Sequence, residues 1–350
     1  MVGPESTKRP TMGDVAKLAG VSRKTVSRVY NSEPTVAEEL VAKVRIAADQ
    51  LNYKMNLVAS DLRRSGGRPS TIGLLIQDVS NEFSASIFRS VEDVAEQFGV
   101  TVLASNLDES AERERELTSI LIARRVDGLL IVPAGLDQSY LANEQRSGMP
   151  FVFLDRPPHL VLADTVLSDN ENGSFNGVTH LIEHGHRRIA FIGETGTHEP
   201  ARQRFDWYRV ALQHATIPVD SNIIRQDLQS ETDAERAIIE IMATNSPPTA
   251  VFSAHNRLTK GVVKGLRTMG VERTVALVGF DDFELAYLLQ PAVTVVAQDP
   301  ATIGRVGAEK LFKRIHGDHS PVGTQIVPTT LIPRGSGEIS APRRPSSVAR

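Results

Sequence analysis

The chain has 350 residues, 41% of them hydrophobic, and its formal net charge at pH 7 is −3. This length exceeds that of one ordinary domain and indicates a small domain followed by a larger two-part body. The sequence contains no cysteine, which excludes a disulfide framework and a thiolate metal site within it.

Two short helices joined by a tight turn are predicted close to the N-terminus, over Met12–Ala19 and Arg23–Tyr30. Gly20 can adopt the positive φ that ends the first helix, and Ser22 can cap the second. This pattern is typical of a helix-turn-helix, whose apolar faces close on each other. The polar side chains left outside suit phosphates and base edges, and they are Arg23, Lys24, Thr25, Ser27 and Arg28.

A third helix is predicted to begin with a capping box formed by Thr35 and Glu38 and to end at Asn52. Its apolar stripe consists of Val36, Leu40, Val41, Val44, Ala47, Ala48 and Leu51. The three helices are expected to form a headpiece over residues 1–55.

Residues 12–31 resemble the headpiece of the LacI/GalR family of bacterial repressors. The resemblance rests on Val15-Ala16, on Ala19-Gly20-Val21-Ser22 and on Thr25-Val26-Ser27-Arg28, and Asn31 also fits the family pattern. It implies that Arg23, Lys24 and Arg28 enter the major groove of DNA. The side chains expected to hold phosphates are Ser22, Thr25, Ser27 and Asn31, and Thr11 is a further candidate DNA contact.

Residues 56–64 resemble the hinge helix of the same family, in which the paired hinges of a dimer enter the minor groove. Leu62 has the position of the leucine that wedges between bases, and Ala59 is small enough to let two hinges pack. Asn56 and Arg63 are further candidate DNA contacts, whereas Ser60 replaces a common arginine. The alternative is that residues 56–64 are merely a solvated linker, and the hinge and linker together are assigned to residues 56–69. Such a short segment is not a stable free helix, so a hinge here is expected to fold on DNA.

Charge is distributed unevenly along the chain. Residues 1–68 carry 12 Lys and Arg against 7 Asp and Glu, a net charge of +5, and the remainder carries −8. The basic end is therefore expected to bind DNA, with a strong dependence on salt, and the acidic body to repel it.

After Ser70, short apolar strands alternate with helices, as in an α/β fold with parallel sheets. The predicted strands are Ile72–Gln77, Val100–Ala104, Gly128–Val132, Phe151–Leu154, Ile189–Gly193, Ala250–Ser253, Val275–Gly279 and Val293–Ala297. The predicted helices are Ser84–Phe98, Ala111–Arg125, Glu171–His184, Ala201–His214, Asp233–Ala243, Asn256–Met269 and Pro300–His316.

This number of strand–helix units is larger than a single sheet usually contains, so two sheets are expected. The arrangement resembles the periplasmic-binding-protein-like body of the same family, with two Rossmann-like lobes. The first lobe is expected to comprise residues 70–167 and 297–324, and the second residues 168–296 and 325–334. A disordered tail is expected over residues 335–350.

Ligands of open α/β sheets bind at the carboxyl ends of the strands, and polar residues are concentrated there in this sequence. The candidates are Asn81, Phe83, Asn106, Asp155, Arg156, His255, Asn256, Asp281 and Gln298, with Arg204 on a helix that faces them. Carboxylates, guanidinium groups and amides can bond a polyol's hydroxyls, and Phe83 offers a face for its C–H side. A monosaccharide or cyclitol is therefore predicted. The alternatives are that Asp281 caps a helix and that the arginines pair with neighbouring acids.

Part of this set is similar to the sugar-contacting residues of pentose-binding relatives, namely Phe83, Asp155, Arg156, Arg204, Asp281 and Gln298. The first loop, Asn81-Glu82-Phe83-Ser84, lacks one common aromatic residue. His255-Asn256 replaces a common Asn-Asp pair, and Leu228 replaces a residue that is often aromatic. These departures indicate an unusual ligand.

Other motifs are weaker. His184-Gly185-His186 is interpreted as a structural helix end rather than a metal site, and the sequence lacks a phosphate-binding loop and a nucleophile elbow. We therefore expect no catalytic residues, no metal and no cofactor, and hence no enzyme.

The sequence as a whole predicts a homodimeric transcriptional repressor that binds a pseudo-palindromic operator in double-stranded DNA and is controlled by a sugar or cyclitol between its lobes. Control by a protein partner, or no effector, is the alternative. An exported sugar-binding protein is disfavoured because residues 1–10 are polar and do not resemble a signal peptide. We expect a cytoplasmic, nucleoid-associated protein without membrane contact.

Overall fold

The computed structural model describes residues 10–30, 36–51, 53 and 70–342. Its contacts divide the chain into two compact units, residues 1–68 and residues 69–350. Within the described ranges, no helix is long and apolar enough to cross a membrane.

The N-terminal unit contains α1 (Met12–Ala19), α2 (Arg23–Tyr30) and α3 (Glu38–Gln50). Gly20 ends α1 with a φ of 67°, and the Ser22 hydroxyl accepts a hydrogen bond from the backbone N–H of Thr25 at 3.0 Å. The predicted turn is therefore confirmed. Its small core consists of Val15, Ala16, Val26, Val29, Val44, Ala47 and Ala48. Burying one such valine contributes on the order of 1.5–3 kcal/mol.

Two helix starts in this unit differ from the sequence-based prediction. A capping box opens α1, where the Thr11 hydroxyl accepts from Asp14 N at 3.3 Å and Thr11 N donates to the Asp14 carboxylate at 2.7 Å. The box predicted for α3 is wrong, because the helix begins at Glu38 with Ala37 at its N-cap and without a side-chain cap. A capping box requires the glutamate at the third position of the helix, whereas Glu38 occupies the first. Thr35 and Asn52 lie outside the described residues.

The C-terminal unit confirms the predicted α/β fold with two largely parallel sheets. Residues 70–168 form the first lobe's main part, with the elements β1 (Thr71–Ile76), α4 (Glu82–Gln97), β2 (Thr101–Asn106), α5 (Ala111–Ala123), β3 (Leu129–Ile131), α6 (Ala142–Arg146), β4 (Phe151–Leu154) and β5 (Asp164–Ser168). A 3-10 helix at Ser139–Leu141 precedes α6.

The second lobe follows in the chain. Its elements are α7 (Asn170–Glu183), β6 (Ile189–Ile192), α8 (Glu199–His214), β7 (Ile224–Arg225), α9 (Glu231–Met242), β8 (Ala250–Ser253), α10 (Asn256–Thr268), β9 (Ala276–Phe280) and β10 (Thr294–Ala297). A 3-10 helix at Ser221–Ile223 precedes β7.

The remaining elements are α11 (Pro300–Ile315), β11 (Thr324–Val327) and β12 (Thr330–Ile332). The first sheet has the order β11-β5-β4-β3-β1-β2 and the second β12-β10-β9-β8-β6-β7. The pairing is parallel throughout, except that β12 runs antiparallel to β10. The chain therefore crosses between the lobes after β5, after β10 and after β11.

The central strands of the first sheet bury both faces, as expected for a parallel sheet covered on two sides. Leu74 and Ile76 pack in a cluster with Ile87 of α4 and Leu311 of α11, whereas the intervening Leu75 packs on the opposite face. Successive side chains of a strand point to opposite faces, so a strand covered on both sides has a continuous apolar sequence. This is why these apolar runs were readable as strands.

The third crossover lies later than the sequence indicated. The prediction assigned residues 325–334 to the second lobe, but β11 pairs with β5 and places residues 324–327 in the first. Only after Val327 does the chain return to pair β12 with β10. The exposed, short edge strand β11 lacks the apolar run on which the strand predictions depended.

Part of the expected disordered tail is built into the second lobe. Ser336 donates from its hydroxyl to Leu277 O at 2.6 Å, and Thr294 donates from its hydroxyl to the Glu338 carboxylate at 2.8 Å. Ala341 N donates to His184 O at 3.0 Å. The prediction is therefore wrong for residues 335–342, which bond to the start of β9 and β10 and to the end of α7. Residues 343–350 lie outside the described ranges.

Candidate functional site

Helix α2 and the residue before it present six of the twelve predicted DNA contacts. Ser22, Arg23 and Lys24 are exposed, and Thr25, Ser27 and Arg28 are partly exposed. The Arg23 guanidinium lies against Gly13 of α1, where an added Cβ would come within 2.5 Å of its Nη2 atom. Helix α1 therefore supports the side chain of Arg23.

Electrostatics at the same corner favour this packing. Hydrogen bonds from Thr11 hold the pKa of the Asp14 carboxyl below its usual range, and the charge of Arg23 adds to the effect. Thr11, another predicted DNA contact, is occupied as the cap of α1. The predicted contacts Asn31, Asn56, Ala59, Leu62 and Arg63 lie outside the described residues and stay predictions.

A polar cleft of about 360 Å³ lies between the two lobes of the C-terminal unit. The structure brings eight of the predicted ligand contacts to its wall, and they are Asn81, Phe83, Asp155, Arg156, Arg204, His255, Asp281 and Gln298. The rule that polar residues at the carboxyl ends of parallel strands converge on one site therefore holds here.

Two predicted contacts are not part of the cleft wall. Asn106 accepts a hydrogen bond from Val79 N at 3.1 Å through its side chain, so it fixes the loop that follows β1. Asn256 exchanges two hydrogen bonds with the Asn81 amide across the lobes, at 3.2 and 3.3 Å. Both amides are hydrogen-bonded within the protein, and neither residue lines the cleft.

Arg204 is fixed on the second lobe by four groups. Its Nε donates to Asn170 Oδ1 and its Nη1 to Ala254 O, both at 2.8 Å. The guanidinium lies 3.5 Å from the Asp281 carboxylate and 3.9 Å from the centre of the Phe280 ring. Because these contacts lock the side chain before any ligand arrives, Arg204 presents a preorganised donor at the cleft wall.

Asp281 is fixed by the same network. It follows β9 with a φ of 70°, and its carboxylate accepts a hydrogen bond from the Gln298 amide. Asp and Asn tolerate this left-handed backbone better than other residues. Gln298 follows β10, the strand next to β9, so this hydrogen bond joins residues at two adjacent strand ends.

The opposite wall holds an ion-pair cluster, and here, as at Arg204, an arginine pairs with an acid as the alternative interpretation expected. Arg156 donates two hydrogen bonds to the Glu109 carboxylate, at 2.6 and 2.8 Å. His198, which precedes α8 on the second lobe, accepts from Arg156 through Nδ1 at 3.1 Å and lies 3.2 Å from Glu109 through Nε2. This geometry is that of a neutral imidazole that links the lobes.

The directions in which the pKa values of His198 and Glu109 shift agree with a neutral imidazole and an ionised carboxylate. Burial lowers the pKa of His198, and the positive charge of Arg156 lowers it further. Burial alone would raise the pKa of Glu109, but the hydrogen bonds and charge of Arg156 outweigh it and hold the pKa low. The cluster therefore consists of one anion, one cation and a neutral ring.

Further contacts at the rim hold the cleft closed. The Arg257 guanidinium lies 3.2 Å from Asp78, and Lys260 Nζ lies 3.3 Å from Glu82. Glu284 N donates to the second oxygen of Glu82 at 2.7 Å. All three contacts join the first lobe to the second.

Sequence reasoning missed several polar wall residues, among them Glu109, Glu194 and His198. Glu109 follows β2 and Glu194 follows β6, so the strand-end rule applied to every strand would have found both. His198 precedes a helix, and no local signal places it near residues 109 and 156.

The paired histidines after α7 have structural contacts. His186 is buried, and its ring nitrogens lie 2.8 Å from the Thr249 hydroxyl and 2.7 Å from Ile339 O. Nδ1 of His184 lies 2.8 Å from His180 O. Among the described residues, no group of three or more His, Asp or Glu side chains could hold a metal ion.

Comparison with known proteins finds two family matches. Residues 11–56 match bacterial regulatory proteins of the lacI family, and residues 178–337 match the periplasmic binding protein-like domain. The chain is similar to the HTH-type transcriptional repressor PurR of Photobacterium profundum, with 30% identity over 87% of this chain and 92% of that protein.

Two solved structures share the fold. The Lac repressor dimer bound to operator and the anti-inducer ONPF has a TM-score of 0.82 and 27% identity, over 95% of this chain and all of the other. A LacI family transcriptional regulator from Enterococcus faecium with bound ribose has a TM-score of 0.69 and 25% identity, over 79% of this chain and all of the other.

Proposed function

Because the chain belongs to the lacI family of bacterial regulatory proteins, and is therefore a DNA-binding transcriptional regulator and not an enzyme, we propose that it is a homodimeric repressor controlled by a small polyhydroxyl ligand in the cleft. The observation that carries this proposal is the cleft itself, whose polar wall is built from both lobes. A ligand that contacts both walls stabilises the closed arrangement over an open one.

The polar groups of the cleft suit a sugar or cyclitol. Arg204 is a fixed donor and Asp281 a fixed acceptor on the second lobe, and Phe83 supplies an apolar ring from the first lobe. Alternating hydroxyls and C–H faces match such a wall. The ribose bound in the E. faecium regulator supports a small sugar as the ligand class.

Control of DNA binding follows from differential affinity. If the ligand prefers one arrangement of the lobes, it changes operator affinity through the hinge segment by a coupling free energy on the order of 1–3 kcal/mol. We expect induction, in which the ligand releases the operator. Leu62 in that segment is proposed to insert between bases of the operator centre.

Dimerisation is supported by the Lac repressor dimer and by an apolar patch on the second lobe. Leu285, Tyr287 and Leu288 are 57%, 61% and 63% exposed. Apolar side chains clustered on a surface mark an interaction site, and a two-fold pair would cover both copies at once. Leu288→Glu is expected to yield monomers in sedimentation, whereas unchanged dimers would place the interface elsewhere.

The DNA-binding part is tested by selecting binding sites from random duplexes with the full chain. A pseudo-palindromic consensus is expected, with binding that weakens steeply as salt increases. Lys24→Ala should weaken binding by about 1–3 kcal/mol for a lost base contact. Lys43→Ala on α3, whose lysine pairs with Glu39 at 2.7 Å, is the matched control. Failure to enrich any site would overturn the proposal.

The effector part is tested with the selected operator. Thermal unfolding against pentoses, hexoses, inositols and their phosphates identifies compounds that raise the melting temperature. A compound that binds should also change operator affinity. A blank panel would instead favour control by a protein partner or regulation without an effector.

A further inference from the structure

The cleft wall carries more negative than positive groups. Six carboxylates but three guanidinium groups line it. Four of the carboxylates have a guanidinium partner: Asp78 with Arg257, Asp108 with Arg113, Glu109 with Arg156, and Asp281 with Arg204. Asp155 has only a longer contact of 3.7 Å with the Arg156 guanidinium, which it shares with Glu109, and among the described residues Glu194 has no guanidinium at ion-pair distance.

Asp155 is the more deeply placed of these two acids. It is 8% exposed, and its Oδ1 has no hydrogen-bond partner in the described part of the chain. Its Oδ2 forms an ion pair with Nε of Arg156 at 3.7 Å, which is too long for a hydrogen bond. That Nε has no hydrogen-bond partner in the described part of the chain, and the same guanidinium gives two hydrogen bonds to Glu109. Burial accordingly raises the pKa of Asp155.

Glu194 is near enough to Arg156 and His198 to interact with both electrostatically, but the ion-pair contact that the described residues give it is with an imidazole. Its carboxylate lies 3.6 Å from Nδ1 of His255. That nitrogen accepts a hydrogen bond from Arg257 N at 3.2 Å, so it has no proton to share with Glu194. The contact does not neutralise the acid.

Gln298 adds a second orphaned acceptor. Its amide nitrogen donates to Asp281, which fixes the orientation of the amide group. Its Oε1 is buried and, among the residues that the structure describes, has no hydrogen-bond partner. A buried acceptor without a donor is costly, so both oxygens are poised for donors that a ligand brings.

We infer that the cleft binds a polyhydroxyl compound that carries an amino group, an amino sugar or aminocyclitol, with its ammonium at Asp155. This inference rests on the proposed function and specifies its ligand class. An ammonium supplies up to three donors together with the missing positive charge, whereas a hydroxyl supplies one donor and no charge. A phosphate or carboxylate would add to the negative excess.

The first test compares compounds that differ at one group. Isothermal titration of the full chain with glucosamine, glucose, N-acetylglucosamine and glucosamine 6-phosphate isolates the amine and the phosphate. scyllo-Inosamine against scyllo-inositol isolates the amine in a cyclitol. We expect an amine to bind at least about tenfold more tightly than its neutral and phosphorylated counterparts. Equal or tighter binding of a neutral or phosphorylated compound, or no binding of any amine, overturns the inference.

The second test asks whether the preference for an amine over its neutral counterpart depends on the Asp155 carboxylate. Asp155→Asn keeps the shape and tolerates the left-handed backbone at this position, where φ is 64°. It should reduce the amine preference to within about twofold. The control Asp137→Asn removes the same charge from the first lobe at an exposed site outside the cleft, where the carboxylate pairs with Arg115. It should leave the preference unchanged.

A second measurement needs no ligand. Because Asp155 is buried without a full partner, Asp155→Asn should raise the melting temperature of the free protein at neutral pH by about 2 °C or more. A lower melting temperature would show that the protein itself satisfies this carboxylate, and the inference would fail.

Failure of the inference is distinguishable from failure of the proposed function. A neutral sugar that binds equally well to Asp155→Asn and changes operator affinity overturns the inference and leaves the function standing. Binding of an amine that leaves operator affinity unchanged supports the inference about the cleft and removes the proposed control of repression.

Discussion

Asp155 and Asp281 occupy equivalent positions in the two lobes. Each follows a central strand, has a left-handed backbone with φ of 64° and 70°, and donates its backbone N–H to the neighbouring strand, to Val166 O at 2.8 Å and Val296 O at 2.9 Å. This conformation breaks the alternation of the strand and delivers both carboxylates to the cleft. Their environments then differ, because Asp281 has Gln298 and Arg204 whereas Asp155 shares one guanidinium with Glu109.

Arg204→Ala tests the network around Asp281. The substitution leaves two buried acceptors, Asn170 Oδ1 and Ala254 O, without their donor and Asp281 without its cation, and breaking a buried ion pair costs about 3–5 kcal/mol. We expect the free energy of unfolding in urea to fall by about that amount, together with loss of the ligand response. The control is Arg202→Ala, an exposed arginine on the same helix α8. Equal, small losses in both variants would mean that Arg204 acts only in ligand binding.

Lys260→Ala tests whether rim contacts hold the cleft closed. Lys260 pairs across the lobes with Glu82, and an exposed pair of this kind contributes about 0.2–1 kcal/mol. Since the chain has no cysteine, spin labels can be attached cleanly to Glu96→Cys and Asn245→Cys, one in each lobe. We expect the label-to-label distance distribution to gain longer distances.

The chain supplies a matched control for this experiment. Lys264 lies one turn further along α10 and pairs with Glu235 of the same lobe at 2.7 Å. Lys264→Ala removes an equivalent charge without touching the other lobe, so its distance distribution should equal that of the parent protein. A similar broadening in both variants would show that the effect comes from α10 itself.

The elements that sequence reasoning predicted are those whose burial is visible as local pattern. Strand β4 is a buried apolar run and was predicted at its observed bounds. Strand β5 was missed because it contains the buried Asp164, which is satisfied by Arg314 at 2.7 Å from a distant helix. A strand that contains such a paired carboxylate lacks a continuous apolar run, so it cannot be predicted from apolar periodicity.

The same limit applies to the cleft. Strand ends predicted Asp155, Asp281 and Gln298, because topology alone brings those positions together. The position of a strand end does not say which way a side chain points, and so Asn106 was included wrongly. The link between Glu109 and His198 depends on lobe closure, which no local spacing encodes.

The burial of His186 leads us to expect that the free energy of unfolding depends on pH. Burial lowers the pKa of His186 below its ordinary value of 6.5, and the charges of His184 and Arg187 add to this effect. The ring is therefore neutral in the native state while the unfolded state takes up a proton. The free energy of unfolding should be constant above about pH 7 and fall as the pH decreases below about 6.5, by at most about 1.4 kcal/mol per pH unit.

Urea unfolding between about pH 8 and about pH 5.5 measures this slope. His186→Gln should be less stable at high pH, since it loses the contacts with Thr249 and Ile339, but its slope should be smaller. His319→Gln, at an exposed loop position, should keep the slope of the parent protein. Identical slopes in all three proteins would assign the dependence to other groups.

Gly261→Ala tests the close packing of α9 against α10. An added Cβ would lie 2.1 Å from Glu231 O and 2.9 Å from the Ala234 Cβ, so the helices would have to separate. We expect the resulting overpacking, about 1–3 kcal/mol, to exceed the gain of about 1 kcal/mol in helix propensity. The control Gly196→Ala meets its nearest atom, Cγ of Arg202, at 3.8 Å and should change stability by less than about 1 kcal/mol. If Gly261→Ala were as stable as that control in urea unfolding followed by circular dichroism, the two helices would have room to move apart, and this face of the second lobe would be less rigid than its packing implies.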